Sequence, residues 1–230
     1  LQDAKTQCAK QGVADFEKVH VQVINPKSIT MDELYGAFDL ATMEWTDGIL
    51  SSIMRVFCQD EFAAHGLDNQ LVQANISQSK TQGTVRGMHY QLPPMMEAKY
   101  VRVLNGAIHD VIIDLRPWSP TYLRHIGVEL SAEARVGIYI PPMFAHGFQA
   151  LTPDVEINYM VTQMYTPGLE RGIRHDDPTF DIRWPQPITV MSDKDMEWET
   201  FDVDAGAAEL TAAHDEMLAQ QSTDNTGASA

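Results

Sequence analysis

Lys99-Tyr100-Val101-Arg102-Val103-Leu104-Asn105-Gly106-Ala107-Ile108-His109-Asp110-Val111-Ile112-Ile113-Asp114-Leu115 reads as two strand-like runs, Lys99–Leu104 and Ala107–Leu115, hinged on Asn105-Gly106. Asn-Gly between two such runs is a strong two-residue hairpin signal, so the pattern predicts that these runs pair with each other. Working outward, similar runs occupy Leu71–Ile76, Val85–Gln91, Tyr122–Leu130, Val136–Ile140, His146–Leu151 and Val155–Tyr165. Ser77 to Gly83 reads as a polar loop, and Pro93-Pro94, Pro117 to Pro120, Pro141-Pro142 and Pro153-Asp154 punctuate the rest. Short strands with Pro/Gly turns and no long helices between them predict an all-β, antiparallel sandwich or jelly roll with short helices.

Side-chain alternation says which residues share a face. Val155, Ile157, Tyr159 and Val161 lie together, so Tyr159 is predicted to point toward the core. Lys99 goes with Val101 and Val103, and His89 with Val85 and Gly87. If these faces line one barrel, a lysine, a tyrosine and a histidine converge in an apolar interior, which is costly without a function. Such a set suits proton abstraction next to a carbonyl, with His89 as base and Asp195 to hold it. Each residue also has a plain structural reading. His89 could be a packed strand histidine, Lys99 a snorkelling lysine and Tyr159 a core tyrosine with its hydroxyl satisfied.

Bulk properties narrow the classes. With 230 residues the chain can bury one sizeable core. A formal net charge of -16 argues against a nucleic-acid or anionic-membrane binder, while leaving room for a small anion held by local arginines. No apolar run reaches membrane-spanning length and no signal-peptide core is visible. Cys8 and Cys58 have neither metal-ligand nor disulfide-framework spacing, so a reduced cytoplasmic setting is expected. His89 is followed by Tyr90-Gln91, so the His-x-His pair of metal-binding jelly rolls is absent, and His109, His125 and His146 are scattered. No metal and no cofactor is expected. The first residue is Leu1 rather than Met, which predicts a fragment or a processed product.

Residues 1–20 have helical composition that turns at Gly12, and Val21–Ile24 is a short apolar run stopped by Asn25-Pro26. Residues 30–57 read as helical in pieces, with Thr30 or Asp32 as one cap and Asp47 capping Gly48 to Phe57; Asp60 to His65 is another short helix. Ile24-Asn25-Pro26-Lys27-Ser28-Ile29-Thr30-Met31, Glu33-Leu34-Tyr35-Gly36-Ala37-Phe38-Asp39 and Glu44-Trp45-Thr46-Asp47-Gly48-Ile49-Leu50-Ser51-Ser52 resemble a dynein heavy-chain segment. No phosphate-binding G-x-x-x-x-G-K-[ST] loop occurs in the chain, so motor activity is not expected of this stretch. Residues 1–56 are therefore read as an appended N-terminal extension, 57–200 as the main domain and 201–230 as an acidic tail. In that tail Ala205–Gln221 is expected to be helical and Ser222–Ala230 disordered.

A second resemblance covers roughly residues 57–197. Val85-Arg86-Gly87-Met88-His89-Tyr90-Gln91, Lys99-Tyr100-Val101-Arg102-Val103, Ile140-Pro141-Pro142-Met143-Phe144-Ala145-His146-Gly147-Phe148 and Ser192-Asp193-Lys194-Asp195 resemble the dTDP-4-dehydrorhamnose 3,5-epimerase family, in its order and spacing. The resemblance implies a cupin-type jelly roll, usually a homodimer, acting without a metal on a dTDP-4-keto-6-deoxy sugar nucleotide. Matched by motif, His89 is the implied proton acceptor, Asp195 its partner, Tyr159 the proton donor and Lys99 the stabiliser of the enolate. Arg86 is implied at the diphosphate, Tyr165 against the thymine, and Gln73, Asn75, His146, Glu170 and Lys194 at other substrate positions.

Departures from the family pattern lie mainly upstream. Where members carry D-x-R-G-x-F-x-E, this chain has Leu50 at the position of the substrate-binding arginine and Arg55 at that of the glutamate. Gln73-Ala74-Asn75-Ile76 stands for a Q-D-N-H motif, Met160 for a common lysine and His175 for a tryptophan. These changes are expected to weaken substrate grip and leave the acid-base set intact. A non-catalytic sugar-nucleotide-binding or interaction jelly roll, in a fused or truncated gene product, is the alternative.

Overall fold

The computed structural model describes Thr30, Glu33, residues 36–39 and residues 44–227. The helical stretch and Gly12 turn expected within 1–20 and the run Val21–Ile24 lie outside the described residues. The chain divides into two compact units, Leu1–Phe57 and Cys58–Ala230.

Thr30 does cap. Its N–H donates to Glu33 Oε2 at 2.8 Å and Glu33 N–H donates back to Thr30 Oγ1 at 3.2 Å, the reciprocal capping box. The helical expectation then fails over 36–39 and 44–47. Strand β1 (Gly36–Asp39) pairs antiparallel with β2 (Glu44–Asp47), from Gly36↔Asp47 to Asp39↔Glu44. These stretches are too short for a stable helix, and Phe38, Trp45 and Thr46 favour extended backbone. Helix α1 (Ile49–Ala64) merges the two short helices expected after Asp47. No glycine or proline interrupts it until Gly66, whose φ of 69° suits a helix end.

The second unit carries two antiparallel sheets. One has the order β3-β10-β5-β8: β3 (Gln73–Ser79), β5 (Lys99–Asn105), β8 (Gly137–Ile140) and β10 (Val155–Val161). The other has the order β11-β4-β9-β6-β7: β4 (Val85–Gln91), β6 (Ala107–Asp114), β7 (His125–Ser131), β9 (Phe144–Ala150) and β11 (Glu170–Gly172). The all-β jelly-roll expectation holds.

The Asn105-Gly106 hairpin does not form. β5 pairs with β10 and β8, whereas β6 pairs with β7 and β9, so the Asn-Gly turn is a corner between sheets. Neighbouring bonds hold it there: Asn105 Nδ2 donates to Asp154 O at 2.6 Å and Ala107 N–H to Thr152 Oγ1 at 3.1 Å. Gly106 has φ 78°, the left-handed region that an Asn-Gly signal reports whichever strands follow. Val101 and Val103 of β5 thus meet Ile108 and Ile112 of β6 face to face, in the core between the sheets.

The opposite side of β6 is also apolar. Val111 and Ile113 join Met88, Tyr90, Ile173 and Phe180 in a second core on the outer face of the five-stranded sheet. Leu210, fully buried, brings α3 (Val203–Gly227) into that core. The acidic tail is therefore docked through its helix, and residues 222–227 continue that helix instead of being disordered. Residues 228–230 lie outside the described residues. Two further elements went unread in the sequence, β11 and the short helix α2 (Asp193–Met196). Among the described residues no helix is long and apolar enough to cross a membrane.

Candidate active site

At one end of the space between the sheets lies a cavity of about 660 Å³, and every site residue expected from the sequence lines it. β3 supplies Gln73 and Asn75, β4 Arg86 and His89, β5 Lys99, β9 His146 and β10 Tyr159. Glu170 comes from β11, Lys194 and Asp195 from α2, and Tyr165 from the loop after β10.

Arg86 and His89 are three residues apart, which in a regular strand puts them on opposite faces. Both reach the cavity because the β4–β9 register shifts between them: Arg86 stands opposite Phe148 and His89 opposite His146. The shift is a bulge. Gly87 sits in it with φ 97°, and a Cβ there would lie 2.6 Å from His146 O. Only glycine fits, which explains why the arginine and histidine flank one.

His89 Nε2 lies 2.6 Å from Asp195 Oδ1. Asp195 is buried on α2, where its N–H bonds Ser192 Oγ at 3.1 Å, while Gly87 N–H donates to its Oδ2 at 3.3 Å. Burial works against the Asp195 charge, but the His89 bond and charge, with Gly87 and Ser192, hold its carboxyl below the usual range. Asp195 therefore stays ionised and fixes Nε2–H as the donor, leaving Nδ1 as the basic nitrogen. Tyr159, partly buried, stands between Asn75 and Val101 on the facing sheet. Burial raises its phenol above the ordinary value, against the lowering effect of Arg86 and with some help from Glu97. It is protonated near neutrality and competent as a donor.

Lys99 Nζ is 3.0 Å from Glu97 Oε1 and donates to His89 O at 3.4 Å. Arg86 bonds neutral acceptors, Ser79 Oγ at 3.2 Å and Gln78 O at 2.9 Å, so its charge remains available to an anion. At the rim, Lys194 pairs with Glu170, and Tyr165 OH donates to the same Glu170 Oε2 at 3.1 Å. Tyr165 is 59% exposed, its ring open to a stacking partner.

Three neighbours were not anticipated. Asp110, fully buried on the cavity side of β6, takes His146 Nε2 at 3.0 Å. Strand alternation could have placed it on the face of Ile108 and Ile112. Trp198 stands edge-on to His89 at 6.5 Å between ring centroids, and Glu97 is the partner of Lys99. Neither carried a strand signal. Among the described residues no cluster of three or more His, Cys, Asp or Glu could hold a metal.

The departures from the family pattern look different in three dimensions. Ala74 and Met160 point away from the cavity into a small cluster with Phe62 and Leu71. Ile76 is on that same outer face, 51% exposed. They leave Gln73, Asn75 and Tyr159 untouched. His175 offers its carbonyl to Trp184 Nε1 at 2.9 Å and does not line the cavity. Leu50 and Arg55 fall on α1, and their side chains lie outside the described residues.

The family model described as dTDP-4-dehydrorhamnose 3,5-epimerase matches residues 38–202. The chain belongs to the dTDP-4-dehydrorhamnose 3,5-epimerase family. The match begins at residue 38, well before the boundary expected at residue 57. The dTDP-4-dehydrorhamnose 3,5-epimerase of Sinorhizobium fredii is 44% identical over 141 residues, covering 61% of this chain and 72% of that one. Among solved structures, the Bacillus anthracis epimerase with TDP and PPi bound superposes with TM-score 0.61 at 36% identity, over 62% of this chain and 82% of that one. A Legionella pneumophila 3,5-epimerase in complex with dTDP-4-keto-L-rhamnose gives TM-score 0.60 at 31% identity, over 77% and 89%. The family's epimerases are isomerases, and their cupin jelly roll is the fold seen here.

Proposed function

We propose that the chain inverts C3 and C5 of dTDP-4-keto-6-deoxyglucose, a step of dTDP-rhamnose synthesis, by proton transfer between His89 and Tyr159. The observation that carries this is the 2.6 Å contact of His89 with buried Asp195, in one cavity with Tyr159 and Lys99. His89 Nδ1 takes the proton from the carbon beside the C4 ketone, and the electron pair moves to the ketone oxygen. The Lys99 ammonium meets that oxyanion. Tyr159 OH then donates a proton to the opposite face of the carbon, which inverts the centre; Tyr159 recovers a proton from solvent and His89 Nδ1 releases its own to solvent. The same cycle at the second carbon completes the reaction.

Arg86 is assigned to the diphosphate, because its present bonds leave its charge uncompensated by a carboxylate. Tyr165 is assigned to the thymine, and Gln73, Asn75, His146, Glu170 and Lys194 to the remaining contacts. Catalysis is placed in 57–200, with 1–56 as an extension and 201–230 as a docked tail. A cytoplasmic homodimer completes the proposal; light scattering at twice the 25.7 kDa chain mass is the expected result. Binding without turnover is not favoured, since the whole acid-base set meets in the cavity. Proton NMR of the purified chain with dTDP-4-keto-6-deoxyglucose should show the 4-keto-rhamnose product; a folded protein that leaves the sugar unchanged would refute the assignment.

A further inference from the structure

The cavity holds a carboxylate that the reaction above does not use. Glu97 is 9% exposed and its partner Lys99 12%, so the pair is nearly dry. Burying two charges is costly, and such a pair is a weak source of stability, which directs attention to what it positions. Glu97 is itself held: Gln91 Nε2 donates to its Oε2 at 2.8 Å. Gln91 in turn is locked: its Nε2 also lies 3.0 Å from Met95 O and 3.2 Å from Met164 O, so its two N–H groups are shared among three acceptors, and its Oε1 accepts from Thr166 N–H at 2.7 Å.

An ammonium has three donor directions. Glu97 Oε1 takes one and His89 O a second, at 3.0 and 3.4 Å. The third is left for the cavity. We propose that Glu97 is a positioning residue that clamps Lys99 and aims its remaining N–H at the oxyanion. This rests on the assignment of Lys99 to the ketone oxygen. Held in this way, Lys99 acts as a fixed positive charge and the proton traffic stays with His89 and Tyr159. Gln91 makes the clamp rigid and joins it to the 164–166 segment.

Glu97→Gln tests the clamp. An amide cannot accept from both Lys99 and Gln91, because one of its two ends presents N–H to a donor. The expected result is a kcat lower by about tenfold to a hundredfold, with KM within about threefold of wild type, since the interaction matters most as charge develops. In a Lys99→Met background the same change should alter kcat by less than about twofold, because nothing remains to be positioned. A merely structural role would instead raise KM, or lower activity equally in both backgrounds. Binding of dTDP by each variant checks that it is folded. If Glu97→Gln does not fold, Glu97→Asp, which keeps the charge but shortens its reach, is expected to give the same kcat and KM split. A folded variant within twofold of wild-type kcat overturns the clamp alone. Absence of turnover by the wild-type chain removes both the clamp and the epimerase assignment.

Discussion

Asp195→Asn changes one atom and leaves the shape of the site intact. The wild-type carboxylate accepts from His89 Nε2 at 2.6 Å and from Gly87 N–H at 3.3 Å. Gly87 can only donate, so the asparagine oxygen turns toward it and the amide N–H₂ faces His89. Nε2 must then accept, which puts the imidazole proton on Nδ1, the nitrogen needed as base. Recovering the working tautomer means breaking a hydrogen bond and setting two donors against each other. A charge-assisted bond of this kind is worth about 1.5–3 kcal/mol, and leaving a buried donor unsatisfied costs about 1–3 kcal/mol more. At about 1.4 kcal/mol per factor of ten, kcat should fall by about 10² to 10⁴ with little change in KM. The assay is initial-rate product formation by NMR, with circular dichroism and dTDP binding to show that the variant is folded and its pocket intact. A folded Asp195→Asn within threefold of wild-type kcat would refute the tautomer argument.

Tyr159→Phe should separate proton removal from inversion: His89 still exchanges the substrate proton with solvent, but epimerised product falls by about a hundredfold or more. Gly87→Ala should lower stability by about 2–3 kcal/mol and activity with it, because φ is 97° and the new Cβ would lie 2.6 Å from His146 O; a melting curve reads the first. Asp114, buried and bonded by Arg116, Ser119 and Thr121, contributes to acid stability. Burial alone would raise its carboxyl, but those bonds hold it well below the ordinary value. A depressed folded value stabilises above the unfolded value near about 3.9 and is lost as pH falls through the folded one. Urea midpoints should therefore show Asp114→Asn less stable by about 2–3 kcal/mol at neutral pH, with the gap to wild type narrowing below about pH 4.

Strand positions and the inward-facing residues were legible because period-two alternation is a local property of the chain. Tyr159 and Lys99 follow from it directly. The pairing of strands was not, since Asn105-Gly106 signals a tight left-handed turn and says nothing of which sheet follows it. The bonds to Thr152 and Asp154 that make it a corner come from about fifty residues away. Arg86 beside His89 defied simple alternation, and the bulge at Gly87 resolves it. His89 and Asp195 are joined only through tertiary structure, so their contact was reachable through family motifs and not through spacing. Glu97 and Asp110 were missed because a buried acid in a strand or loop is indistinguishable by composition from a solvated one. Residues 36–39 and 44–47 misread as helix because such short stretches carry no clear period.

The epimerase assignment stands on proton exchange at two carbons. The wild-type chain, incubated with dTDP-4-keto-6-deoxyglucose in deuterated water, should release product carrying deuterium at both C3 and C5, seen by mass spectrometry as a gain of two mass units and by NMR as loss of both signals. A folded protein that binds dTDP and incorporates no deuterium at either carbon would contradict it.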